Sequence, residues 1–213
     1  MSYDFVIFDC DGVVVDTETT LLAVFYRMIK ERGLPEPGPE AFLETFRGLK
    51  TASILENLEK KYEMTFPSSF LSEYRKECQK VFHKGIEVID GIEEVLQNLK
   101  KPFCMASNSP LDFIRDCLTL TNLLSYFDGK IFSAYDVERW KPDPFLFQYA
   151  ADQFGFQHDR CLVVEDSIPG VRAAVAASMS VLGYATGKQA VALKQEGATV
   201  ISDMRSVLDY ASA

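Results

Sequence analysis

The sequence predicts an α/β fold, a Rossmann-like parallel sheet core interrupted after its first strand by an inserted all-helical domain. Three observations predict it. An apolar run, Phe5-Val6-Ile7-Phe8, opens the chain as a short buried strand and ends at Asp9 and Asp11. Between Asp16 and Lys84 only helical periodicity is found. After Gly85 helices and strands alternate, which is the pattern of βαβ units in a parallel sheet covered on both faces. The predicted division is a core of residues 1–15 and 87–213 and an inserted domain of residues 16–86, with hinges near 15–17 and 85–88.

In order, a helix over 17–32 places Leu21, Leu22, Val24, Phe25, Met28 and Ile29 at helical spacing, with Asp16 or Thr17 to cap it and Gly33 to end it. Three prolines and two glycines in 33–39 mark a loop. Helices follow over 40–46, 51–62 and 68–84. In the second part of the chain, helices are expected at 91–99, 110–120, 143–154 and 169–178, and from 204 onward. The strands between them are expected at 102–107, 130–133, 161–164, 180–184 and 199–201. No internal repeat or low-complexity tract is present.

With 213 residues the chain is long enough for one sizeable core, or for a core with a smaller appended unit. A hydrophobic fraction of 47% and a charged fraction of 25% are those of a globular protein, not a disordered one. A net charge of -9 and a pI near 4.8 oppose general attraction to nucleic acid or anionic membrane, so neither is expected as a partner. Five scattered cysteines without a C-x-x-C pair suggest neither a disulfide framework nor a zinc site. With no leader pattern and no membrane-length apolar run, the expected location is the cytoplasm, and the expected state a monomer or weak dimer.

Four strand ends carry polar groups, and in an open parallel sheet ligands bind outside the carboxyl ends of the strands. Asp9-Cys10-Asp11-Gly12 ends the first; alone, it also reads as a polar turn. Ser107-Asn108-Ser109-Pro110 ends the second, with Ser109 placed to cap a helix whose N-H groups would favour an anion. Lys141-Pro142-Asp143-Pro144 precedes another helix, and the prolines stiffen the backbone that carries the ammonium. Glu165-Asp166-Ser167 ends a very apolar strand, and adjacent carboxylates suit a hard, oxygen-preferring cation such as Mg²⁺. Together these are the parts of a metal-assisted phosphoryl transfer through an aspartyl-phosphate.

The order D-x-D-G-x-x-x-D, S-N, K-P-D-P, E-D-S resembles the four motifs of the haloacid dehalogenase superfamily, in the subgroup whose helical cap is inserted after the first motif. The resemblance implies that Asp9 is the nucleophile and that Asp11 is the general acid and base. It implies that Ser107 and Asn108 bind the phosphoryl group and that Lys141 bridges it to Asp9. Asp9, the backbone carbonyl of Asp11, and Asp166 would hold Mg²⁺, with Glu165 beside them or in the next layer. Gly12 would permit the tight turn and Asp16 would mark the hinge into the cap.

An acid at Asp11 speaks against dehalogenation, because halide leaves without a proton and an alkoxide does not. Sugar-phosphate mutases of the β-phosphoglucomutase type share the motifs but carry a histidine where this chain has Leu21, so hydrolysis is the expected reaction. A regulatory module that binds a phosphorylated metabolite without turning it over is the alternative of another class. The run Phe132 to Pro144 is similar to that of bacterial phosphogluconate phosphatases in this subgroup, which points to a small phosphorylated metabolite, an acidic sugar phosphate first among them. Arg47 and Lys50, cations flanking Gly48 between two cap helices, are expected either to read the far end of the substrate or to be solvated loop charges.

Overall fold

The computed structural model describes residues 3–35, 37–46, 51–82 and 85–212. Six parallel strands, β1 (Phe5–Phe8), β2 (Phe103–Ser107), β3 (Ile131–Ser133), β4 (Cys161–Glu165), β5 (Ser180–Tyr184) and β6 (Thr199–Ile201), form one sheet in the order β3-β2-β1-β4-β5-β6. The strand order reverses its direction of growth beside β1, so β1 has β2 on one side and β4 on the other. That is the point at which a parallel sheet opens a crevice at its carboxyl edge.

The chain divides into two compact units, residues 17–86 and the remainder. The first is helical: α1 (Thr17–Glu31), α2 (Pro39–Phe46), α3 (Thr51–Tyr62) and α4 (Phe70–Phe82). Its core is aromatic. Phe25 packs edge-on against Phe70 and Tyr74, with ring centroids 5.3 Å apart in both pairs, and Phe42 stacks on Phe25 and meets Phe46 at a tilt. Arg27 and Arg32 of the first helix segment pair with Glu77 and Glu73 of α4 at 2.7 Å, exposed contacts worth little in energy but consistent in register.

The second unit carries the sheet with α5 (Ile92–Asn98), α6 (Leu111–Leu120), α7 (Leu124–Phe127), α8 (Ala134–Val137), α9 (Phe145–Gln153), α10 (Ile168–Ala176), α11 (Gly187–Gln195) and α12 (Ser206–Ser212). Alternation along β1 sorts its side chains. Phe5 and Ile7 join Cys104, Cys161 and Val163 beneath α9 and α10, while Phe8 meets Phe103 and Phe127 on the other face. The sheet strands fall where the alternation predicts them, to within a residue at either end. Two short helices, α7 and α8, and all of α11 have no counterpart in the sequence reading. Only Leu193 of α11 is buried, so no apolar stripe announces that helix. All five cysteines are buried free thiols, as their apolar settings suggest.

The sheet unit also holds the two chain segments that lead into and out of residues 17–86. They lie antiparallel: Val15 bridges Val88, Asp16 N-H donates to Glu87 O at 2.8 Å, and Ile89 N-H donates to Val14 O at 3.1 Å.

Candidate active site

Phe8 is in register with Val164, and Asp9 continues the ladder by donating its N-H to Val164 O at 3.0 Å. Asp9 therefore stands beside Glu165, and the two-residue period puts both side chains on the face that holds Phe5, Ile7, Cys161 and Val163. Lys141 enters on the same face from the loop before α9. Its Nζ lies 2.6 Å from Asp9 Oδ1, 2.8 Å from Glu165 Oε1 and 4.6 Å from the centre of the Phe147 ring. Asp9, Lys141 and Glu165 are only 7%, 6% and 0% exposed, so these are charges held inside the protein.

Two buried carboxylates around one ammonium leave an excess negative charge. Burial pushes the Asp9 carboxyl above its ordinary range; Lys141 opposes that, and the charges of Glu165 and Asp11 add to it. For Lys141 burial is the largest single influence and works to lower its value. Asp9 and Glu165 together outweigh it, and the ammonium is held protonated, above its ordinary range. Carboxylate oxygens of Asp9, Glu165 and Asp166 lie within 4.8 Å of one another, a donor set of hard oxygens with charge to spare. Glu165 already accepts from Lys141 and Ser167, so within the set Asp9 and Asp166 are the carboxylates that suit a divalent cation of the Mg²⁺ kind.

Two glycines make this packing possible. Gly12 has φ +79°, and a Cβ there would overlap the Asp166 carboxylate; this is the tight turn that the motif requires. Gly170, in the first turn of α10, faces Glu165 so closely that a Cβ would overlap its carboxylate. The other oxygen of that carboxylate accepts from Ser167 N-H at 2.8 Å and Ser167 Oγ at 2.9 Å, while Ser167 Oγ caps α10 through Gly170 N-H. Gly170→Ala is expected to dislodge Glu165 or the first turn of α10, at a cost of about 1–3 kcal/mol in thermal or denaturant unfolding. Wild-type stability in that variant would contradict the close approach.

Asp11 turns toward the end of β2. Its Oδ2 accepts from Ser109 Oγ at 2.7 Å and stands 3.4 Å from Ser107 Oγ. Ser107, 1% exposed, accepts Ser109 N-H at 3.1 Å. Ser109 is not the helix cap expected of it. Pro110 occupies the cap position of α6 without a side-chain bond, which leaves the Ser109 hydroxyl to Asp11. Ser133 Oγ, fully buried, donates to Ser109 O at 2.7 Å and fixes that loop from below. The sequence pattern marks neither Ser109 nor Ser133 as a site residue. A serine one residue before proline reads first as a cap, and Ser133 reads as a strand end.

Asn108 is half-buried, and its side-chain amide is spent on the backbone of Lys141. Asp16 ends the turn that begins at Asp9 and pairs with Glu87. Arg47 and Lys50 lie outside the described residues. Among those residues no helix is long and apolar enough to cross a membrane.

Residues 6–184 match the family model described as haloacid dehalogenase-like hydrolase. The chain belongs to this family. A relative named 6-phosphogluconate phosphatase, from Escherichia coli, is 33% identical over 84% of this chain and 81% of its own length. A haloacid dehalogenase-like protein from Agrobacterium tumefaciens has a crystal structure that superposes with a TM-score of 0.88, at 36% identity, over 97% of this chain and 96% of that one. A family hydrolase from Deinococcus radiodurans, solved with phosphate and sodium bound, superposes with a TM-score of 0.86 at 29% identity, over 99% and 96%. This haloacid dehalogenase-like hydrolase is a phosphatase of the family.

Proposed function

We propose that this phosphatase depends on Mg²⁺, transfers the phosphoryl group through Asp9, and hydrolyses the monoester of a small acidic sugar such as 6-phosphogluconate. The observation that carries the reading is Lys141 Nζ, buried between Asp9 and Glu165 with Asp166 alongside. The ammonium there opposes the burial that raises Asp9 and orients its carboxylate, and a nucleophile has to be both ionised and aimed. The relative named 6-phosphogluconate phosphatase supports the substrate class.

Asp9 and Asp166, with the Asp11 carbonyl, would hold the metal ion, whose chemistry is to offset repulsion between a carboxylate and an anionic phosphate. Glu165, with both oxygens engaged by Lys141 and Ser167, braces the ammonium. In the first step an Asp9 oxygen attacks phosphorus, the phosphorus–oxygen bond to the sugar breaks, and the leaving alkoxide takes a proton from Asp11. In the second, Asp11 takes a proton from water as that water attacks the phosphorus, freeing Asp9 and inorganic phosphate. Ser107 Oγ and the backbone N-H of Asn108 bear on the equatorial oxygens. The hydrogen bond from Ser109 holds Asp11 on the β2 side, apart from Asp166, which suits a proton carrier.

The test is phosphate release from a panel of phosphomonoesters, including 6-phosphogluconate, hexose phosphates, phosphoglycolate and nucleotides. It is run with Mg²⁺, after chelation, and in Asp11→Asn. 6-Phosphogluconate is expected to give the highest kcat/KM, and chelation to remove turnover. Asp11→Asn should fold, bind Mg²⁺ and lose about 10²–10⁴-fold in kcat, most on alkyl phosphates whose alkoxide must be protonated. Normal turnover of an alkyl phosphate by that variant would remove Asp11 from its role. Conversion of a hexose 1-phosphate to the 6-phosphate would make the protein a mutase.

A further inference from the structure

The resemblance makes Asn108 a ligand of the phosphoryl group; its hydrogen bonds serve another residue. Asn108 Oδ1 accepts the backbone N-H of Lys141 at 2.9 Å, and Asn108 Nδ2 faces the carbonyl of the same residue at 3.4 Å. One side-chain amide thus meets both backbone polar groups of one residue, 33 positions away in sequence. The orientation of the amide is forced: a backbone N-H needs an acceptor, so Oδ1 must face it and Nδ2 must face the carbonyl.

The geometry points to Asn108 as the positioning residue for Lys141, acting on the main chain from which the ammonium reaches Asp9 and Glu165. The inference rests on the hydrolytic reading above. Lysine has four rotatable bonds, and its Nζ sits at 2.6 and 2.8 Å from two carboxylates only if its own backbone is fixed. The flanking loop bonds serve the neighbours: Arg139 N-H donates to Ala134 O at 3.2 Å, and Asp143 N-H to Trp140 O at 2.9 Å. Residue 141 gives its N-H to Asn108. The loop after β2 and the loop before α9 are thereby tied together at the residue that follows Ser107.

Asn108→Ala in the full chain tests this, with Mg²⁺ and a phosphomonoester that the wild type hydrolyses. The expected loss in kcat is about tenfold or more, since a displacement of the order of an ångström is enough for that. KM and the inhibition constant of inorganic phosphate should weaken by far less than kcat falls, because Lys141 is shifted and not removed, and its exact placement matters most in the transition state. By NMR, the Lys141 amide should exchange with solvent about tenfold faster or more, while the Val163 and Val164 amides of β4 keep their wild-type rates. A phosphate inhibition constant that weakens in step with kcat would make Asn108 a phosphoryl ligand and overturn the inference. So would an unchanged kcat, or an unchanged exchange rate at Lys141. If the wild type hydrolyses no phosphomonoester, the hydrolytic reading fails by itself, and the exchange rates alone decide whether Asn108 holds Lys141.

Discussion

Asp9→Asn is expected to lower kcat by about 10⁴-fold or more, because an amide oxygen is a poor nucleophile toward a phosphate ester. The fold should not suffer. Burial works against the ionised Asp9, and the substitution replaces that carboxylate with a neutral group of the same shape. Lys141 keeps Glu165 at 2.8 Å, so the buried trio goes from an excess negative charge to a neutral pair. Thermal unfolding of the metal-free protein should therefore show a Tm equal to or above the wild-type value, alongside the lost turnover. A variant that retained turnover within tenfold of wild type would displace Asp9 as the nucleophile, and a collapsed Tm would contradict the charge balance.

Lys141→Met is expected to act in the opposite sense on stability. The thioether chain fills the space of the aliphatic stem beside Phe147 but removes the one cation between two carboxylates that are almost wholly buried. Breaking a buried pair by deleting one partner costs about 3–5 kcal/mol, most of it the desolvation of the charges left behind. Denaturant unfolding without metal should show a loss of that order. Added Mg²⁺ should recover part of it, since Asp9 and Asp166 would then have a cation of their own. Turnover should fall by about 10²-fold or more with or without that recovery, because the charge on the phosphoryl oxygens would lack its ammonium. Wild-type stability in Lys141→Met would mean that the trio is not the strained charge cluster its geometry describes.

The sheet was legible because each buried strand is an apolar run of four or five residues with a polar group at its end. Val163 and Val164 ending at Glu165 and Asp166 announce both strand and site. What the sequence concealed was of two kinds. α11 packs on the sheet through Leu193 and the partly buried Ala190, too few and too small for a clear apolar stripe, so its periodicity is faint. The contacts of Asn108, Ser109 and Ser133 join loops far apart in sequence, and no spacing rule links Asn108 to Lys141. Ser109 was a reasonable helix cap until Pro110 took that position. Glu165 shows a subtler difference: its residue type suits a cation, but its neighbours, Lys141 and Ser167, claim both of its oxygens. Residue type announces what chemistry is available at a strand end, and register decides which partner receives it.

The paired segments at Val14–Asp16 and Glu87–Ile89 bear on how such a chain diversifies. The excursion from Thr17 to Ile86 starts and finishes at a single hydrogen bond, Asp16 N-H to Glu87 O, already closed within the sheet unit. Closing a loop costs only about 0.6 kcal/mol more for each doubling of its length, so the sheet is nearly indifferent to how much chain is threaded through that gate. A lineage built on this plan is free to lengthen, shorten or exchange the helical insert without renegotiating the strands that carry Asp9 and Glu165.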